Sequence, residues 1–441
     1  MSKRSSTQIT CDVLGIGFGP SNLAVAVALE ESRSPLTAHF IEATPQSGWH
    51  PSMLLDGSDI QNNPLRDLVT PRNPRSHYSF TNYLHCQGRL FDYLNLGLAY
   101  PLRKEYARYI QWVAGHFEDR VTYSAPARTI APDGDGRGWV VSTPDGEIRT
   151  RSILVGTGRS HNIPANFVHA MGERVFHLCD YLRRVSALGS SLQSIAVIGA
   201  SQSAVEINLD LLARFPKLRI HALHRTFAMR QKDTSPFSDH VYFPDFVDYY
   251  FKAGKAAQID LQRQLRGTNY SSADIDVLHK LYLTLYEERL DGRDRFTLHN
   301  NTTVDKVQCV PGGVALTATE RFLGTSQTIL VDAVVLATGF KDIGVGEGKE
   351  RVPPLLSAVE RNLDRDADGA VVVQRDYSVR TRGAGLCYLN GLCESSHGFG
   401  DAGSFSLLAL RAAEIVGSLE SGLKPHPEAV SRSNLLTEVT P

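Results

Sequence analysis

Gly15-Ile16-Gly17-Phe18-Gly19-Pro20-Ser21-Asn22 follows the apolar run Cys11-Asp12-Val13-Leu14 and opens onto Leu23-Ala24-Val25-Ala26-Val27-Ala28-Leu29. A short apolar run closed by Gly, then a helical stretch, fits a strand buried on both faces, a tight turn and a covering helix. Gly15 allows the turn, and Gly17 lets the backbone approach a pyrophosphate. The helix N-terminus offers free N–H groups and a positive dipole end. Pro20 stands where the plain fingerprint has Gly or Ala; it suits a first helical turn, where no N–H is needed. The next strand, Thr37-Ala38-His39-Phe40-Ile41, ends on Glu42, an acid able to accept a ribose hydroxyl. Strand, turn, helix, strand and acid occur in order. They predict a dinucleotide site formed by Gly15, Gly17, Gly19, Pro20, Ser21, Asn22 and Glu42.

The pattern returns at Ser194-Ile195-Ala196-Val197-Ile198-Gly199, followed by Gln202-Ser203-Ala204-Val205-Glu206 and by the strand Leu218 to Leu223. Ser201 takes the middle Gly position, where a side chain crowds a pyrophosphate. Gly199 to Ser203 lacks the final Gly of a serine-hydrolase elbow. Arg225 follows the strand where NAD enzymes tend to carry an acid, and a base there can pair a 2′-phosphate. This second site, opened by Gly199 and followed by Arg225, therefore points to NADPH.

Working outward, the predicted fold is α/β: two Rossmann-like dinucleotide-binding domains with a small helical substrate insert. Ser152-Ile153-Leu154-Val155-Gly156-Thr157-Gly158 echoes Ala333-Val334-Val335-Leu336-Ala337-Thr338-Gly339. These two Thr-Gly turns are expected to mark where the chain leaves the first domain and returns. The expected boundaries are residues 1–170 and 330–441 for the first dinucleotide-binding domain, which is discontinuous. Residues 171–329 form the NADPH-binding domain, including a helical insert at 240–295. Leu278, Leu281, Tyr282 and Leu285 are expected on one helix face. The Pro- and Ser-bearing tail after Gly422 is expected to be loose.

The bulk properties narrow the function. A length of 441 residues allows two or three cored domains. A formal net charge of -1 gives no sign of a nucleic-acid or acidic-membrane footprint. No apolar run approaches the ~18 residues of a membrane span, and the start, MSKRSSTQIT, is not a secretory signal. The six cysteines show no CxxC, no zinc spacing and no disulfide framework, which fits a reducing cytoplasm and no metal. A homo-oligomer is compatible with the sequence. Two dinucleotide domains suggest electrons passing from NADPH to a flavin. With no redox-active cysteine pair to receive them, dioxygen is the natural acceptor.

The stretch Gly15 to Asn22 resembles the GxGFGPSN signature of the flavin-dependent ornithine and lysine N-hydroxylases of siderophore biosynthesis. Further landmarks lie in order along most of the chain. They are Trp49-His50-Pro51, Asp67-Leu68-Val69-Thr70, Tyr78 to Leu84, Gln202-Ser203-Ala204, Ser235-Pro236-Phe237, Thr268-Asn269-Tyr270, Ala337 to Phe340 and His397-Gly398. The resemblance implies that Trp49, His50 and Gln61 contact FAD. It implies that Gln202, Ser203 and Arg225 contact NADPH, with Asn269 near both coenzyme and substrate. It also implies a C4a-hydroperoxyflavin that hydroxylates a small primary amine, with no side-chain nucleophile and no catalytic acid or base named. An amine of pKa ~10.4 must first lose its proton, which costs about 4–5 kcal/mol at pH 7.

Three departures fall where the family reads its substrate. Arg66 replaces a Lys that pairs with the substrate carboxylate, and Asp239 replaces an Asn of an SPFxNE segment. The run from His397 to Ser406 is longer than usual. Arg66, Asp239, Asn269 and Ser406 form the expected substrate set. Ornithine or lysine is the expected substrate. A decarboxylated amine such as histamine or putrescine is the alternative, and a non-catalytic flavin-binding redox sensor the reading from a different class.

Overall fold

The structure, a computed structural model, describes residues 9–423. The expectations for the first ten residues and for the tail after Gly422 fall largely outside them. Strand Ile9–Ile16 lies inside the first sheet, between parallel neighbours Ala38–Ile41 and Gly146–Val155. Val13, Leu14 and Ile16 are buried, and helix Pro20–Glu31 covers them with the apolar run Leu23 to Leu29. The sheet continues through Leu386–Leu389 to Ser378–Val379 on one side and to Val121–Thr122 on the other. The C-terminal helix Leu408–Gly422 packs along Pro20–Glu31 and closes the layer.

The second sheet is entirely parallel. Its order is Phe296–His299, Arg219–Leu223, Ser194–Ile198, Ala333–Leu336 and Val175–His177. Helix Gln202–Arg214 follows its central strand, as Pro20–Glu31 follows that of the first sheet. Strand Ala333–Leu336, which the sequence places in the returning segment from 330, bonds within this second sheet instead. Its run Ala333 to Leu336 is buried at 0% exposure and fills the slot between Ser194–Ile198 and Val175–His177. The chain therefore re-enters the first layer only beyond Thr338-Gly339. A three-stranded antiparallel sheet over residues 302–331 packs beneath the second.

The stretch between the second sheet's strands is helical at Pro244–Lys252, Lys255–Leu265 and Ile275–Leu290. Leu278, Leu281 and Leu285 face the core, but Tyr282 is 73% exposed. The inward face centres on Leu281 and Glu288, two turns apart, and Tyr282 sits one residue round from it.

Candidate active site

Each Gly of the first loop has a separate physical reason. A Cβ on Gly15 would lie 2.1 Å from the Phe40 ring. Gly17 turns at φ +86°, and a Cβ there would lie 2.7 Å from the Gly156 carbonyl oxygen. Gly19, at φ −78°, needs no glycine for its backbone, and the nearest atom to a Cβ would be the Gly48 oxygen at 3.9 Å. The protein leaves that space free, which suits a phosphate at the helix N-terminus. Glu42 accepts from the Phe18 N–H at 2.8 Å and from Thr44, so it fixes the loop as well as ending the strand.

Asn22, expected at the ligand, is fully buried and faces inward. Its Nδ2 donates to the carbonyls of Ile16, Gly17 and Leu154, and its Oδ1 accepts from Asn390. Arg411 continues this network, donating to Asn390, to Asp401 at 2.7 Å and to the Ser21 hydroxyl at 3.2 Å. The sequence offers no signal for it beyond one Arg inside an apolar helix.

His50 and Gln61 stand on left-handed backbone, at φ 44° and 52°. A non-glycine residue there is costly and persists when its surroundings hold it. Trp49 packs edge-on to His50, Tyr106 and Phe405. Burial, with Arg103 and Arg159 nearby, pushes His50 down to about 4, so it is a neutral imidazole at pH 7. Gln61 donates to Asp274 at 2.5 Å, and the Asp274 N–H donates to Gln202 at 2.8 Å. Gln202 also donates to Glu206, which takes two bonds from Arg103 at 2.9 and 3.0 Å. Arg103 in turn donates to the carbonyls of Met53 and Asp59. Gln61 and Arg103, on the first-domain side, are thus joined to the second loop by one polar chain.

In the second loop, Gly199 sits at φ +146°, with the Ala337 oxygen 2.5 Å from where a Cβ would stand. Ser201 caps the helix position without a side-chain cap bond. The Ser203 side chain makes no hydrogen bond among the described residues and is free for a ligand. Arg225 is 70% exposed and pairs with Glu347 at 3.1 Å.

Of the expected substrate set, Arg66 and Ser406 are in direct contact, and Asp239 shares the short helix Ser238–Tyr242 with Tyr242, which reaches the residue before Asn269. Burial and then Asp239 push the Tyr242 phenol up, while Arg66 pulls it down. Burial pushes the Tyr100 phenol up as well, followed by Asp274 and Asp239, while Arg66 pulls it down. Arg66 donates to the Ser406 hydroxyl at 3.2 Å, and Ser406 donates to Asn62. Tyr242 donates to the Thr268 carbonyl, next to Asn269. The Asn269 Nδ2 is buried without a partner.

Folding also gathers His161, His177 and Cys179, whose ligand atoms lie within 4.8 Å of one another. The two imidazoles stack at 4.3 Å with planes 16° apart. An imidazole lone pair lies in its ring plane, so two near-parallel rings cannot both aim at one ion. No helix of the described residues is long and apolar enough to cross a membrane.

Comparison with known proteins agrees with this geometry. The family described as L-lysine 6-monooxygenase/L-ornithine 5-monooxygenase matches residues 9–342. The chain is 38% identical to the L-ornithine N(5)-monooxygenase of Burkholderia cepacia, over 88% of this chain and 89% of that one. It superposes on the ornithine N-hydroxylase of Kutzneria sp. 744, in complex with reduced FAD, NADP+ and L-ornithine. The TM-score is 0.87, with 33% identity and coverage of 93% and 99%. An L-lysine 6-monooxygenase of Pseudomonas syringae superposes with a TM-score of 0.84 at 36% identity, covering 94% and 100%.

Proposed function

Since the chain belongs to the L-lysine 6-monooxygenase/L-ornithine 5-monooxygenase family, we propose that it hydroxylates the side-chain amine of ornithine or lysine for siderophore biosynthesis. It is a flavin-dependent N-hydroxylating monooxygenase that uses FAD, NADPH and dioxygen. Bound flavin, reduced by NADPH, supplies the activated oxygen. Gly17, Gly19 and Ser21 would hold the FAD pyrophosphate, and Trp49, His50 and Gln61 would border its ring. Gly199, Ser203 and Arg225 would hold NADPH.

The observation that carries the substrate reading is the pair Arg66 and Asp239. They bear opposite charges, and Arg66 donates to the Ser406 hydroxyl rather than pairing with Asp239. Such a pair suits an α-carboxylate at Arg66 and an α-ammonium at Asp239. The far end of the substrate is then left for Asn269. Its buried amide can hold the amine through an amine N–H, which leaves the nitrogen lone pair free for the activated oxygen. Six free cysteines fit a reducing compartment, and we place the reaction in the cytoplasm.

The test is hydroxylamine formation from ornithine, lysine, putrescine and histamine. Ornithine or lysine should be best. Arg66→Ala should raise its KM by a hundredfold or more, following the roughly 2–5 kcal/mol cost of leaving a buried charge unpaired. Flavin reduction should stay near normal. Preference for putrescine or histamine, with Arg66→Ala mild and Asp239→Asn severe, would overturn the amino-acid reading.

A further inference from the structure

Arg159 follows the first Thr-Gly turn and ties together segments far apart in sequence. Its Nη1 donates to Asp342 Oδ1 at 3.0 Å and to the Tyr270 phenol at 3.0 Å. It stands 3.6 Å from Glu394 Oε2. Its guanidinium lies over the rings of Phe340 and Tyr270, at 5.4 and 5.7 Å from their centroids. Tyr270 donates its own proton to Glu394 Oε2 at 2.5 Å. The side chains of Arg159 and Glu394 are only 11% and 5% exposed. Burial pushes Glu394 up to about 8, against the pull of Arg159.

Buried charge of this kind is a poor source of stability, because well-packed apolar residues of similar volume often do as well or better. Its surroundings suggest a different use. A Cβ on Gly403 would lie 2.5 Å from the Tyr270 oxygen, 2.7 Å from Asn269 Nδ2 and 3.4 Å from Glu394 Oε2. The phenol, the unpartnered amide and the carboxylate therefore converge on one backbone position. Three residues on, Ser406 holds Arg66.

We propose that Arg159 and Glu394 are positioning residues that clamp the Asn269-Tyr270 corner against Gly403, aim the Asn269 amide at the reacting amine, and so set how much NADPH oxidation ends in hydroxylamine. This rests on the function proposed above. Glu394 takes no part in the chemistry itself; it acts through Tyr270.

The experiment uses the FAD-loaded enzyme with its best amine. It measures flavin content, anaerobic flavin reduction by NADPH, amine KM and kcat, and hydroxylamine formed per NADPH consumed. Tyr270→Phe removes one oxygen and should keep flavin content and reduction rate. Its hydroxylamine yield per NADPH should fall threefold to tenfold, with hydrogen peroxide making up the difference. Glu394→Ala should behave alike, and Glu394→Gln, which still accepts from Tyr270, should restore part of the yield. The double variant Tyr270→Phe/Glu394→Ala should be no worse than its worse parent, as two members of one contact require. Yields within twofold of wild type in both single variants would overturn the proposal. So would losses that multiply in the double variant, or equal loss of flavin, reduction and yield together. If the wild-type enzyme forms no hydroxylamine from any amine, the function fails first and this inference with it. If it does and both single variants stay coupled, only the inference fails.

Discussion

The two dinucleotide loops share a strand-turn-helix plan and differ in what stands behind them. Behind the first, Asn22, Asn390, Arg411 and Asp401 form a buried network that holds the turn from within. Behind the second, Gln202 bonds to Asp274 and to Glu206 one turn along its own helix, and these two acids meet Gln61 and Arg103 from the first domain. Its phosphate-reading candidate, Arg225, stands in solvent beside Glu347. One loop is built to be rigid before its ligand arrives. The other couples its ligand to the opposite wall and reads it at the rim. A cofactor that stays needs the first design, and a coenzyme that comes and goes is served by the second.

The largest expected effect tests the first loop. Gly17→Val places a Cβ at φ +86° against the Gly156 oxygen and should abolish flavin retention along with much of the stability. Gly19→Val meets no such obstacle in the protein. The Gly19 variant should therefore unfold at the wild-type temperature as apoprotein, yet retain less than about a tenth of the flavin, because its side chain fills the phosphate space. Thermal melts and flavin absorbance together decide the matter. A Gly19 variant that stays yellow and stoichiometric would remove the ligand from that space.

Acid should act on both regions. Burial holds His50, in the first site, and His177, in the second sheet, down to about 4. Above the ordinary value of ~6.5, folded and unfolded chains are both neutral there, and these groups add no pH dependence. As pH falls from ~6.5 towards 4, the unfolded chain gains protons that the folded chain refuses, so stability drops; below about 4 the contribution levels off. The loss should be on the order of 1–3 kcal/mol per histidine. His177→Gln should flatten its share of the slope over that window. An unchanged slope would mean that His177 accepts a proton in the folded state.

The same contrast separates what the sequence reveals from what it hides. The first loop is legible because its demands are local: Gly15 and Gly17 are required by atoms that any Rossmann turn brings near. The second sheet is legible as apolar runs, but membership in it is not. Ala333 to Leu336 reads equally well in either sheet, and only pairing with Ser194–Ile198 assigns it. Asn22 reads as a ligand contact because the signature includes it, yet its amide faces the backbone. Arg103 with Glu206, Arg411 with Asp401, and Arg159 with Glu394 give no sequence signal. The first and third join residues distant in the chain and the second spans a loop, and a lone charged residue looks like a surface residue until its partner is placed.

A smaller effect belongs to the second loop. Arg225→Ala should raise the KM for NADPH about tenfold, near 1.4 kcal/mol, at the low end for a charge-assisted bond because the side chain is solvated. NADH should be nearly unaffected. Equal damage to both coenzymes would show that Arg225 does not read the 2′-phosphate.

The smallest effect is the most discriminating. Arg225 is already paired, with Glu347 at 3.1 Å, and both side chains are largely exposed. A 2′-phosphate would have to compete with that carboxylate or share the guanidinium with it. Like charges on phosphate and carboxylate repel, so Glu347 should weaken NADPH binding if the two are neighbours. An exposed pair is worth only about 0.2–1 kcal/mol. Glu347→Gln should then lower the KM for NADPH by about twofold, the scale that a few tenths of a kcal/mol allow. The gain should shrink as salt screens the charges, and NADH should show none of it. Initial rates at low and high ionic strength with both coenzymes separate the outcomes. A raised KM would instead make Glu347 the residue that orients Arg225 towards the phosphate. An unchanged KM at low salt would place the phosphate away from Glu347, and the rim reading of the second site would lose its acid while keeping its base.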